Sequence, residues 1–280
     1  MNKLLIATTA AVALATVGTA GAADLPMKAP PMVAAAPIYT WTGCYVSGGI
    51  GYGMWNQDNH DVLTVAVPAV GGGFVPAGTA IQNVDQTAGG RGWLFRAGVG
   101  CDYQVGPSFV IGAFGDFDWE NIHGNFQSLT TGFVGNEKLS RSWHAGGRIG
   151  WLPYPNLLTF FSGGFTQARF DGVTMTDPTI PQLGGIPGSI LNFSVPATTY
   201  SGWFIGGGTE YRLPFAQNLT WKTEYRFAQY RAEDLPVTVC VLSTVCAGAG
   251  FAEHNEKFVQ TVTTSLVWRF NWGGPVVARY

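Results

Sequence analysis

Ser142 and His144 stand two residues apart in the run LSRSWHAGGRIGW (139–151). On a strand that spacing puts a hydroxyl and an imidazole on one face, the arrangement of a nucleophile beside its base. The plainer reading, a histidine hydrogen-bonded among charges, is preferred. His60, His123 and His254 fall in connections between the strands predicted below. The chain has no phosphate-cradling glycine loop, nucleophile elbow or zinc-protease motif. No catalytic residue, cofactor or metal is therefore assigned, and an enzyme is not expected. The four cysteines, Cys44, Cys101, Cys240 and Cys246, lack histidine at ligand spacing, which turns them toward disulfides rather than metal.

The charged side chains say more, because they alternate with apolar ones. Trp93, Phe95, Ala97, Val99, Cys101 and Tyr103 share one parity, while Arg96 and Asp102 share the other. Period two means strand. The pattern returns at 109–120, 138–151, 201–213, 218–231 and 257–270, with Leu139, Trp143, Ala145, Ile149 and Trp151 on the apolar side of the third of these runs. A glycine-rich strand at 43–55 and one at 157–170 complete a set of eight; both faces of 157–170 are apolar, so alternation leaves its parity open. Taken by parity, Asp102, Asp116, Asp118, Glu120, Glu210 and Glu224 share a face with Arg96, Arg148, Arg212, Lys222, Arg226 and Arg269. Six oppose six. Such a balance predicts mutual pairing inside a narrow barrel, since an unpaired buried charge is costly.

Composition fits that placement. Charged residues make up 11% of the chain, against about 25% in a soluble domain, while aromatics reach 14% and glycine 39 of 280 residues. A surface so poor in charge does not face water. The net charge of −2 removes the electrostatic footprint of nucleic-acid binding. Outside the first 23 residues no run of about 18 apolar residues exists, so strands rather than a helix must cross a membrane. Lys3, the apolar run Leu4 to Val17 and the small residues Ala20 to Ala23 read as a secretory signal over 1–23. Residues 24–40, with Pro26, Pro30, Pro31 and Pro37, read as an extended periplasmic leader; 41–270 is the barrel and 271–280 a tail.

Three connections between strands are tight (105–108, 152–156 and 214–217) and four are long (about 56–90, 121–137, 171–200 and 232–256). Strict alternation of long with short predicts an all-β, eight-stranded antiparallel up-and-down transmembrane β-barrel with short periplasmic turns and long extracellular loops. A soluble barrel with its apolar face inside is the alternative. Aromatic residues near strand ends (Trp55, Trp93, Tyr103, Trp119, Trp151, Tyr211 and Trp221) favour the membrane form, as girdles at its two interfaces.

The stretches ADLP (23–26), WTGCYVSGGIGYG (41–53), GVGCDYQ (98–104) and SLVWRF (265–270) resemble the porin-like, opacity-type outer-membrane β-barrel surface proteins of alphaproteobacteria. The sharp motifs cover the first two strands and the last. The resemblance implies an eight-stranded barrel in the outer membrane, whose closing strand is recognised by the barrel-assembly machinery through a terminal aromatic residue. Phe270 matches it, in step with Leu266 and Trp268, although ten residues (NWGGPVVARY) follow.

In this topology, pairing Cys44 with Cys101 and Cys240 with Cys246 is the one connectivity that needs no crossing between membrane sides. Arg91, Arg141 and Arg231 share the outward face at the loop end of their strands, with Lys138 beside them. There the outer leaflet presents lipopolysaccharide phosphates, which the planar arginine fork suits; lipid and lipopolysaccharide are the expected partners. The expected function is an outer-membrane structural and surface protein that supports the envelope and displays loops. A small-solute channel is the alternative, and a lipid-modifying enzyme the third option.

Overall fold

The computed structural model describes residues 40–64, 67–68, 74–77, 79, 86–127, 134–176, 191–216, 218–241 and 245–270. The expected export signal, nearly all of the leader and the tail after Phe270 lie outside them. Eight long strands carry the fold: β1 (Gly43–Leu63), β4 (Gln86–Val105), β5 (Phe109–Gln127), β6 (Val134–Tyr154), β7 (Leu157–Phe170), β10 (Thr198–Arg212), β11 (Leu219–Val241) and β12 (Val245–Phe270). Short strands β2 (Val67–Pro68), β3 (Phe74–Val75), β8 (Val173–Thr176) and β9 (Leu191–Val195) sit in the long connections.

Each long strand pairs antiparallel with its neighbours in chain order. β12 then returns to β1, from Cys44↔Phe270 to Leu63↔Phe251, and closes an eight-stranded ring. The turn from β4 to β5 needs a left-handed residue and has one in Gly106, at φ 65°. Alternation sets the faces. Ile50, Phe95, Val99, Ile149, Ile205 and Leu266 look outward and exposed, while Arg96, Asp118, Glu210 and Arg269 are buried inside. On β7, where the sequence leaves parity open, Leu158, Phe160, Thr166 and Phe170 point in and Phe161 and Phe165 point out.

The strands outrun the span expected of them. A strand of about 9–11 residues crosses a bilayer. The 26 residues of β12, tilted as barrel strands are, rise roughly 65 Å, far above an apolar band of about 25 Å. Much of the predicted loop length is therefore barrel wall. The segment expected as a loop at 232–256 is largely wall: β11 and β12 pair with each other up to Val241↔Val245, with β9 along the outer edge of β11 and β1 along that of β12 as far as Phe251. β7 and β10 break at Asp171–Gly172 and Pro196–Ala197, then resume as β8 and β9. Those two pair with each other and join β6 and β11, so the wall stays closed above the break.

In this distal collar the hydropathy of the wall inverts. Ile122, Leu139, Phe170, Val173, Met175, Val195, Leu235 and Val237 fill the inside, whereas Asp58, Asn121, His123, Asn125, Asn136, Glu233 and Asp234 face out. Two sequence assignments are corrected here. Trp55 is buried at 1% inside the collar rather than standing in an outer girdle. Leu139 is fully buried rather than outward, because a bulge between Leu139 and Arg141 switches the parity of β6.

Candidate functional site: a two-tiered charged lumen

Ten of the twelve charges expected inside gather into two tiers. At the short-turn end Arg148 from β6 takes Asp102 through Nε at 2.8 Å and also through Nη2, and reaches Glu210 at 3.1 Å. Arg269 from β12 reaches the same two carboxylates, at 2.8 Å to Asp102 and 2.6 Å to Glu210. Two acids meet two arginines. Thr220 adds a hydroxyl donor to Glu210. Aromatic faces stack on the guanidinium groups: Tyr45 and Phe160 on Arg148, Trp41 and Tyr45 on Arg269. Trp41 is itself buried, its indole N–H donating to the Pro155 carbonyl at 3.2 Å.

The middle tier has the same logic with three against three. Arg226 forks onto Asp116 at 2.8 and 2.7 Å and onto Glu224 at 2.8 and 3.1 Å. Arg96 forks onto Asp118 at 2.7 and 2.6 Å, and Lys222 lies 3.4 Å from Glu224. Phe114 and Phe204 bracket Arg226. Paired planar hydrogen bonds of this kind are the strong ones, and they fix side-chain geometry as well as energy. The remaining two charges stand apart. Glu120 is buried beside Asp118 and Ser142, and Arg212 lies over the Trp41 ring at the mouth.

His144 belongs to the middle tier, with Nδ1 2.9 Å from Asp116. Asp116, Asp118 and His144 bring ligand atoms within 4.8 Å of one another. Their carboxylates are already taken by the two arginine forks, so the donor set is that of an ion-pair network rather than a metal centre.

A third group, unseen in the sequence reading, lies in the collar. Lys257 donates to Glu137 at 2.7 Å and to Gln57, under the rings of Phe170, Tyr200 and Trp55. Higher still, burial and nearby Asp61 push the Glu253 carboxyl up to about 8. Gln57, Glu137 and Glu253 lie in expected loops, whereas Lys257 opens the polar face of the expected strand 257–270, so its partners are not legible from alternation.

No family model matches the chain. The 31 kDa outer-membrane immunogenic proteins of Brucella melitensis biotype 1 and Brucella suis biovar 1 are each 23% identical over 283 residues, covering 96% of this chain and all of the relative. The chain is homologous to these outer-membrane immunogenic proteins. Solved structures with some likeness include OprG of Pseudomonas aeruginosa (9% identity, 82% of this chain and 97% of that one, TM-score 0.40) and Ail of Yersinia pestis (9%, 82% and 99%, 0.32). The fold assignment rests on the chain's own closed strand pairing.

Placed in the outer membrane, the short-turn end of the barrel is periplasmic and the collar extracellular. The disulfide Cys44–Cys101 then joins hairpin neighbours at the periplasmic end, and Cys240–Cys246 staples the extracellular tip of the β11–β12 ribbon. The lipid-facing surface carries aromatic pairs such as Tyr52–Trp93, Phe95–Trp119 and Trp143–Phe165.

Proposed function

We propose that this barrel is a sealed structural and surface protein of the outer membrane, which stiffens the envelope and holds its collar and connecting segments outside the cell. The observation that carries the reading is the pair of self-neutralising tiers. Both cross the lumen, and each of their side chains is less than a tenth exposed. A conducting pore needs hydrated charge along its axis, whereas here each fork is closed onto a carboxylate. The name of the Brucella relatives supports display at the surface, since they are outer-membrane immunogenic proteins.

Purified protein reconstituted in planar bilayers is expected to give no resolved conductance steps, and a variant that breaks the middle tier, Arg226→Ala, to give flickering ones. Regular steps from the parent protein would overturn the sealed barrel in favour of a small-solute channel.

The same reading takes residues 1–23 as a removed export signal and Phe270 as the aromatic residue presented to the assembly machinery. Supporting the latter, Phe270 ends β12, faces outward and pairs with Cys44 at the seam. Phe270→Ala is expected to lower the amount of folded barrel in the outer membrane several-fold, and deletion of 271–280 to leave it unchanged. The reverse outcome would give the role to Tyr280.

A further inference from the structure

The outward face of the barrel changes character in bands as the strands leave the membrane. Along β5 the outward residues run Phe117, Trp119, Asn121, His123, Asn125; down β6, from the collar toward the bilayer, they run Asn136, Lys138, Arg141, Trp143. A cationic band thus lies between the aromatic girdle and the amide-rich wall of the collar. It is concentrated on four adjacent strands. Arg91 of β4 pairs directly with His123 of β5, and His123 with Lys138 of β6. Just below, Arg141 of β6 pairs directly with Arg169 of β7.

Two features make this more than a scatter of surface charge. Lys138 and Arg141, three residues apart, would face opposite sides of a regular strand; the bulge between Leu139 and Arg141 turns both outward. Directly opposed like charges, here Arg141 and Arg169, destabilise a sheet unless something lies between them. Among the described residues no salt bridge joins an Asp or Glu side chain to Arg91, Lys138, Arg141 or Arg169, while His123 between them is held by the amide oxygens of Asn121 and Asn136. Beyond β4, on the adjoining strands β1 and β12, the wall turns acidic, with Asp58 directly paired to Glu256. Arg231 stands apart from the patch on β11, beyond β10, which has no basic residue at that end.

We propose that Arg91, Lys138, Arg141 and Arg169 form a binding site for the phosphates of one outer-leaflet glycolipid, lipopolysaccharide, held against β4–β7. Four strands about 4.8 Å apart make a patch about 15 Å across, the scale of a phosphorylated headgroup. Its height, at the level where wall hydropathy inverts, is the level of lipid phosphates, with acyl chains lying on the aromatic and small residues below. The arginine forks supply paired donors to phosphate oxygens and Lys138 a point charge. The site is independent of whether the lumen conducts.

The test uses full-length mature protein folded into phosphatidylcholine vesicles, with denaturant midpoint as the readout. Intact lipopolysaccharide is expected to raise the midpoint of the parent. Lipopolysaccharide stripped of phosphate, or inorganic phosphate added to plain vesicles, should leave it within error. The Arg91→Ala, Arg141→Ala, Arg169→Ala triple variant should lose at least two-thirds of the rise, and the corresponding triple lysine variant should lose less. An undiminished rise in the alanine variant overturns the site. An equal rise of the parent with inorganic phosphate alone makes it a free-anion site and overturns the lipid assignment. If the alanine variant does not fold, the parent decides: equal rises with intact and phosphate-free lipopolysaccharide overturn the proposal.

Discussion

Arg226→Ala is expected to destabilise the barrel by about 3–5 kcal/mol, the cost of leaving buried carboxylates without their partner. Arg226 is the hub of the middle tier, supplying two hydrogen bonds to Asp116 and two to Glu224. Its loss leaves Asp116 with His144 and a distant Arg96, and Glu224 with Lys222, Ser162 and Arg96. Arg231→Ala, at an exposed outward position, should move stability by no more than about 0.5 kcal/mol. A paired replacement sharpens the test. Arg96→Met with Asp118→Leu removes both ends of one fork and should cost less than Arg96→Met alone, because no orphaned charge remains. Equilibrium unfolding of vesicle-folded protein reads all four. A midpoint for Arg226→Ala equal to that of the parent would mean that water reaches the tier and replaces the guanidinium, and the sealed lumen would fall with it.

The collar should respond differently. Ile122→Ala and Leu139→Ala each delete a side chain that is 0% exposed inside a closed apolar core, and each is expected to cost about 2–5 kcal/mol. The loss should be local, since the collar and the charged tiers are stacked layers of different chemistry. Limited proteolysis of sealed vesicles with the collar outward should cut the extracellular segments of the variants faster, while the membrane-embedded wall remains protected. Phe161→Ala is the control. That ring is 73% exposed on the outward face, where lipid chains fill the space a truncation leaves, so its cost should be smaller. If Leu139→Ala costs no more than Phe161→Ala, then Leu139 faces lipid after all and the bulge in β6 is misplaced.

Alternation was enough to place seven of the eight wall strands, their apolar face and ten of the charges now seen in the tiers, because a strand sends successive side chains to opposite sides whatever it packs against; β7, apolar on both faces, carries no such signal. The same rule, with the alternation of long and short connections, put Cys44 beside Cys101 and Cys240 beside Cys246. Three things needed the tertiary structure. Which acid meets which arginine is set by where strands distant in sequence face each other across the lumen, as when Arg226 reaches Asp116. The collar was hidden because its apolar side faces in and its polar side out, so segments such as 232–256 read as loops under the rule for a lipid-bathed wall. The parity of Leu139 and the convergence of Lys138, Arg141 and Arg169 turned on one inserted residue in β6. A bulge costs a strand little and leaves no composition signal, yet it reverses the destination of every side chain beyond it.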